Sequence, residues 1–345
     1  MLSTPSVMIF WTLVVVVISI LVCSLGLQKG VEKISKVMMI LLFALMIIMA
    51  VNSLLLDGSS EGLKFYLVPD FSKMKEQGIG NVVFAAMSHA FFTLGLGIGS
   101  MEIFGSYLSR DCKLTGESIN VVILDTVVAL TAGIIIIPAC FAYGINPGAG
   151  PSLLFITLPN VFNQMPGGVI WEVLFFIFMA FAALSTVIAV YEYIIAMTMD
   201  IFNCSRKRAS LVNLFVISVL CMPAVLGYNV LSGVQPLGAG TTIMDLEDFI
   251  VSYNILPLGG LLFVLFCTRK NGWGYDNFVA EVNMGKGISF PKRLKGYMVY
   301  VLPVIDLVIY FKGYYDMFKP QGTKVVCICM TVADILSLLV FYLAA

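Results

Sequence analysis

Charge is scarce in this chain of 345 residues. Only 12% of the residues are Asp, Glu, Lys or Arg, and they balance to a net charge of zero. The mean hydropathy is +0.99, whereas a soluble domain carries about twice this share of charge. No basic run of the kind that binds nucleic acid is present. The composition therefore excludes an ordinary soluble domain and a nucleic-acid-binding protein, and it indicates a polytopic membrane protein.

Residues that carry catalytic chemistry are also few. His89 is the single histidine, and the eight cysteines include no CxxC pair. The HExxH, GxSxG and P-loop motifs are absent from the sequence. A zinc site, a disulfide framework and a Ser-His or Cys-His mechanism are therefore not indicated, and we predict that the chain is not an enzyme.

Apolar segments long enough to cross a bilayer recur along the whole chain. The nine predicted spans are 8–27, 37–56, 81–108, 118–143, 167–199, 210–228, 246–267, 297–311 and 325–344. Lysine and arginine are concentrated in the loops on the side reached after the first span, and the positive-inside rule makes that side cytoplasmic. We therefore expect a multi-pass protein of the cell membrane with a cytoplasmic C-terminus and with the N-terminus of this chain outside.

The third span contains three glycines at a spacing of two: Gly95, Gly97 and Gly99. Each glycine weakens a helix by about 1 kcal/mol relative to alanine. Unwound backbone within a bilayer is tolerated only where it is buried in protein or lines a cavity. The run therefore predicts a discontinuous helix whose peptide groups bind a ligand near the midplane. Helix packing is the alternative, because Gly95 and Gly99 also fit the small-xxx-small pattern.

Polar side chains inside the spans are functional candidates. A lone carboxylate such as Asp125 costs several kcal/mol in mid-span unless a cation or a hydrogen-bond network meets it. Asp125 and Thr93 would supply the oxygen ligands that a hard cation such as sodium prefers, and a protonated aspartate bonded to a neighbouring helix is the alternative. The small residues of the fifth span at 182–186 by themselves favour close helix packing.

Three acids open the seventh span: Asp245, Glu247 and Asp248. They form either a negative mouth that attracts cations or ordinary acids stabilised at a helix N-terminus. His89 lies one turn before Thr93 and is either a proton carrier or, by preference, a hydrogen-bonded structural histidine.

The loop at 146–168 has no lysine or arginine and contains the apolar piece Leu153–Ile156. We interpret it as a re-entrant extracellular lid, with a long solvated loop as the alternative.

Five motifs in order resemble the neurotransmitter:sodium symporter family, in its bacterial branch. They are FFTLGLGIG at 91–99, LDT at 124–126, GPSLLFITLP at 150–159, FAALST at 181–186 and NILPLGGL at 254–261. The resemblance implies an all-α, inverted-repeat (LeuT-type) symporter fold in one transmembrane domain over residues 1–345. It covers the family's fourth through twelfth helices, and it implies a truncated member whose first three helices are missing or are encoded separately.

The resemblance also implies roles for individual residues. The implied lining of the substrate pocket is Phe92, Thr93, Gly95, Ile98, Thr186 and Val190. The implied sodium ligands are Thr93 and Asp125 at one site, and Ala182, Ser185 and Thr186 at the second. The implied gates are Phe92 and Asp248 outside and Asp200 inside.

Departures from the family pattern are informative too. Gly95 replaces a serine of some relatives and leaves room for a larger side chain. Asp125 stands where many relatives have asparagine, and Glu102 stands where a hydrophobic residue is expected. The arginines that normally pair with both gate acids belong to a part of the family pattern that this chain does not match.

The implied function is sodium-coupled symport of an amino acid, hydrophobic or aromatic, or of a related amine. Two alternatives remain open. One is a non-transporting membrane remnant, and the other is a proton-coupled permease of similar fold that uses Asp125 or Glu102.

Overall fold

The computed structural model describes residues 4–26, 31–145 and 158–344, and these ranges are almost entirely helical. The α-helices are α1 (Pro5–Ser24), α2 (Lys33–Leu54), α3 (Ser59–Leu67), α4 (Phe71–Gln77), α5 (Ile79–Thr93), α6 (Ser100–Ser106), α7 (Leu114–Ala142), α8 (Leu158–Gln164), α9 (Gly168–Phe202), α10 (Arg206–Leu220), α11 (Met222–Gly227), α12 (Ile243–Ile250), α13 (Leu256–Thr268), α14 (Tyr275–Val282), α15 (Leu302–Phe318) and α16 (Thr323–Leu343). The apolar piece Leu153–Ile156, with most of the predicted lid, lies outside the described residues.

The predicted spans all correspond to helices. Within the described ranges, eight helical segments of at least 18 residues are apolar enough to cross a membrane. The remaining predicted span is the broken pair α5 and α6. The fifth span is α9, which at 35 residues is as long as its sequence suggested.

The eighth span extends further than predicted. Its helix continues past 311 to Phe318, although Lys312 and Asp316 follow. These two side chains form an ion pair at 2.7 Å one turn apart, and the Lys312 ammonium lies 4.6 Å from the ring centroid of Phe84. Because their charges are compensated, the helix continues beyond the residue at which the predicted apolar span ends.

The chain divides into two compact units. The first consists of Met1–Val14, Gly78–Val122 and Phe215–Ala345, and the second consists of Val15–Gln77 and Ile123–Leu214. Helices α1, α7 and α10 contribute residues to both units.

The core of the second unit lies where α2 and α9 pack together. Met46 and Phe175 are almost fully buried there, and the Phe175 ring lies 5.6 Å from that of Phe162 in α8. Between membrane-spanning helices such packing stabilises through van der Waals contact and not through removal of apolar surface from water.

The core of the first unit is formed by α13, α15 and α16. Tyr310, Tyr314 and Phe318 occupy one face of α15, and the rings of Tyr314 and Phe318 both pack against Phe249 at 5.3–5.4 Å. This spacing of about one turn between the aromatic residues buries one stripe of the helix and anchors α13 beside it.

Candidate functional site

The predicted interruption of the third span is confirmed. Helix α5 ends at Thr93 and α6 begins at Ser100. Between them Gly95, Gly97 and Gly99 have φ angles of +59°, +88° and +90°. Side chains other than glycine rarely adopt this region, so the three glycines permit the unwound path that separates the two half-helices.

A cavity of about 350 Å³ in the first unit is lined in part by α5 residues that precede this break. Its lining residues are Phe84, Ser88, His89, Phe91, Phe92, Asp248, Ser252, Tyr253, Leu256, Pro257, Ile309 and Gly313. Phe92 and Asp248, the two residues implied for the outer gate, therefore line the same cavity. The Ser252 hydroxyl donates to Asp248 Oδ1 at 2.7 Å and orients the carboxylate.

The acids at the start of the seventh span have different roles. Asp245 forms a capping box with Thr242, in which each side chain bonds to the backbone N–H of the other. It therefore fits the interpretation as a stabilising helix-start acid. Asp248, one turn later, lines the cavity instead.

A π-helical turn at Val251–Ile255 connects α12 to α13 and was not predicted. Asn254 Nδ2 donates to the Phe249 carbonyl at 3.2 Å, and the Tyr314 hydroxyl donates to Asn254 Oδ1. Pro257, just beyond, has no N–H to continue the ladder. Asn254 followed by Pro257 is the sequence signal for this irregularity, and such turns occur frequently at functional sites.

The two residues predicted to bind one sodium ion belong to different units. Thr93 is the last residue of α5 in the first unit, and Asp125 is a half-buried residue of α7 in the second. Gly95 and Ile98 belong to the unwound segment of the first unit.

The three residues predicted to bind a second sodium ion are brought together in α9. The Ser185 and Thr186 hydroxyls both donate to the Ala182 carbonyl, at 2.9 and 3.1 Å. Each hydroxyl oxygen retains lone pairs after donating its proton. The cluster therefore offers hard oxygen donors of the kind a small cation prefers. Val190 is half-buried one turn after Thr186.

The C-terminal part of α9 contains two acids in different environments. Asp200 is exposed in the last turn. Arg206, the nearest following arginine, donates to the fully buried carboxylate of Glu192. Glu192 was not among the predicted site residues. The sequence signal that points to this pair is a carboxylate within an apolar span, because a buried charge requires a cation.

Two further acids lie in the spans of the first unit. Glu102 is exposed in the first turn of α6, where the positive end of the helix dipole favours it. Asp306 is buried in α15.

The chain was also compared with known proteins. The model of the sodium:neurotransmitter symporter family matches residues 4–344. The sodium-dependent transporter YhdH of Bacillus subtilis is 38% identical over 75% of this chain and 56% of its own length. A sodium-dependent transporter of Haemophilus influenzae is 34% identical over 90% of this chain and 66% of its own length. The chain thus spans between half and two thirds of these relatives.

A solved structure is similar as well. The crystal structure of MhsT in complex with L-phenylalanine has a TM-score of 0.77 and 37% identity, covering 90% of this chain and 68% of that one. Its likeness, together with the broken third span, confirms the LeuT-type fold. This chain belongs to the sodium:neurotransmitter symporter family, a family of multi-pass, sodium-coupled membrane transporters rather than enzymes.

Proposed function

We propose that this chain performs sodium-coupled symport of a hydrophobic or aromatic amino acid, or a related amine, across the cell membrane. The observation that carries the proposal is the unwound segment between α5 and α6, which follows directly on the α5 residues that line the cavity. The likeness to MhsT, whose structure contains L-phenylalanine, supports the substrate class. The proposed orientation has the C-terminus in the cytoplasm and the N-terminus outside.

The unwound segment provides the substrate's polar contacts in this proposal. Its peptide groups leave the helical ladder between Thr93 and Ser100. In this proposal they bind the amino and carboxylate groups of an amino acid. Phe92, Gly95 and Ile98 shape the volume available to the side chain. Thr186 and Val190 of α9 complete the proposed substrate contacts.

Sodium is co-transported with the substrate and binds oxygen donors at two places. Thr93 and Asp125 hold one ion, and the Ala182 carbonyl with Ser185 and Thr186 holds the other. Thr93 serves both the substrate pocket and the first ion, so binding of either ligand organises the other's site. The coupling is reciprocal, because each ligand raises the other's affinity by the same factor. Asp248 with Phe92 closes the outer side, and Asp200 belongs to the inner gate.

The direct test uses the full chain purified and reconstituted in vesicles. Labelled L-phenylalanine is supplied with an inward sodium gradient, with potassium replacing sodium, and with an inward proton gradient alone. The proposal expects uptake only with the sodium gradient. Uptake without sodium that follows the proton gradient would instead assign a proton-coupled permease using Asp125 or Glu102. Absence of both binding and uptake would assign a non-transporting remnant.

A further inference from the structure

At Gly97 the backbone of the unwound segment lies directly against the backbone of α13. A Cβ built on Gly259 would lie 2.1 Å from the Gly97 carbonyl oxygen and 2.9 Å from its carbon. A Cβ built on Gly97 would lie 2.1 Å from the Leu256 carbonyl oxygen and 2.5 Å from the Gly260 nitrogen. Real Cβ atoms essentially never approach closer than 3.0 Å. Each glycine therefore leaves space that the other segment's backbone fills.

Gly260, the next residue, also lacks a side chain and also lies close to the third span. A Cβ on Gly260 would lie 2.6 Å from Cζ of Phe91, a residue that lines the cavity beside Phe92. By contrast, Gly105 in α6 and Gly296 have no atom within 4 Å of an added Cβ. The close approach at residues 259 and 260 is therefore a feature of these positions and not of every helical glycine in the first unit.

Helix α13 is firmly held where the contact occurs. Leu256 and Leu261 are 2% and 1% exposed, and α13 packs against both α15 and α16. The π-helical turn that precedes it is bound through Asn254 to Tyr314 of α15. The unwound segment lacks the continuous hydrogen-bond ladder of a helix, so its position depends on the surface against which it rests.

We propose that Gly259 is a positioning residue for the transport site. The backbone at Gly259 supports the unwound segment and so keeps the peptide groups of that segment in the position where they bind substrate. The inference rests on the proposed function, because it assigns those peptide groups to substrate. A methyl group on Gly259 would force the segment at Gly97 to move by about 1 Å to restore ordinary contact. A misplacement of about 1 Å in a positioned group costs up to about a hundredfold in rate, and we expect a loss of affinity when the displaced groups bind the substrate directly.

The test compares Gly259→Ala with Gly105→Ala in the full purified chain. Both sites are helical, so both gain the same methyl group, but only the first faces backbone. We expect the dissociation constant for L-phenylalanine in saturating sodium to rise about tenfold or more for Gly259→Ala, and to stay unchanged for Gly105→Ala. Affinity is measured on the monodisperse fraction, because a merely structural role would reduce the amount of folded protein without changing its affinity.

A second variant and a second measurement distinguish failure of this inference from failure of the proposed function. Gly260→Ala meets only the end of the Phe91 ring, which can turn aside, so its effect should be smaller than that of Gly259→Ala. Hydrogen exchange of the peptide spanning residues 94–100 should accelerate in Gly259→Ala and not in Gly105→Ala, whether or not phenylalanine binds. Failure of the wild-type chain to bind phenylalanine would count against the proposed function alone. Unchanged affinity and unchanged exchange in Gly259→Ala and Gly260→Ala would overturn the positioning role.

Discussion

Arg206 donates from one guanidinium nitrogen to both carboxylate oxygens of Glu192, at 2.9 and 2.8 Å. The carboxylate is fully buried, whereas the arginine side chain is 23% exposed. The same nitrogen donates to the Cys23 carbonyl at 3.2 Å. The pair therefore connects the ends of α1 and α10 to the middle of α9 within the second unit.

Removing the arginine should destabilise the protein strongly. Arg206→Gln leaves the buried Glu192 carboxylate without its cation, and such a loss costs about 3–5 kcal/mol of unfolding free energy. The measurement is denaturant-induced unfolding in detergent. Arg110→Gln is the matched control, because Arg110 is 79% exposed and lies 3.7 Å from Glu281, so its loss should cost at most about 1 kcal/mol. Equal costs for the two variants would contradict a structural role for the buried pair.

Replacing Asp125 should separate a sodium ligand from a proton carrier. In Asp125→Asn an amide oxygen replaces the carboxylate, so we expect sodium-dependent phenylalanine binding to persist with a weaker sodium affinity. Asp125→Ala supplies no oxygen and should weaken the sodium affinity by about tenfold or more. The measurement is phenylalanine binding against sodium concentration. Asp276→Ala, on the exposed first turn of α14, is the control with unchanged affinity. Complete loss of transport in Asp125→Asn, with sodium binding intact, would favour the proton carrier instead.

The hydroxyl pair on α9 gives a second test of sodium binding. Ser185→Ala removes one oxygen from the cluster around the Ala182 carbonyl, and we expect a several-fold loss of sodium affinity, equivalent to about 1 kcal/mol. Thr331→Ala removes a comparable hydroxyl, which donates to the Cys327 carbonyl at 2.9 Å on an exposed face of α16. Should Ser185→Ala match Thr331→Ala in sodium affinity, the patch would serve helix packing alone.

The size of the substrate side chain should depend on Gly95. An added Cβ there meets only Ser100 Oγ, at 3.6 Å, although its φ is +59°. Gly95→Ser should therefore fold at a cost of about 1–2 kcal/mol for the left-handed conformation and should narrow the proposed pocket. We expect affinity for phenylalanine to fall more than affinity for alanine, measured by competition binding.

Gly144→Ser provides the control for backbone strain in that experiment. Gly144 has a φ of +64° with no atom within 4 Å of an added Cβ, so it incurs the same strain elsewhere. Its ratio of phenylalanine to alanine affinity should equal that of the wild-type chain. A parallel loss for both amino acids in Gly95→Ser would place this glycine outside the substrate pocket.

The break in the third span could be predicted because it depends on local chemistry. Three glycines at a spacing of two weaken any helix that contains them, and hydroxyls at 185 and 186 reach the carbonyl at 182 in any α-helix. Asp248 and Phe92 could be assigned to one gate only through the family resemblance, since their shared cavity depends on packing. The roles of the substrate-pocket residues, the sodium ligands and both gates stay predictions, as does the orientation.

The features that were missed depend on partners distant in sequence. The π-helical turn is stabilised by Tyr314, sixty residues beyond Asn254, and no local pattern reveals that partner. Glu192 finds Arg206 only because both side chains point to the end of α1. The helix beyond residue 311 continues because Phe84 lies beside Lys312.

The amino-acid sequence by itself determined that this chain crosses a membrane repeatedly and where one crossing must break, because apolar length and glycine content act on each segment alone. Tertiary structure decided which surface supports the broken segment and which cation meets a buried carboxylate. Those outcomes depend on how closely two distant backbones approach and on which charges share a low-dielectric interior, and neither quantity is a property of any single segment.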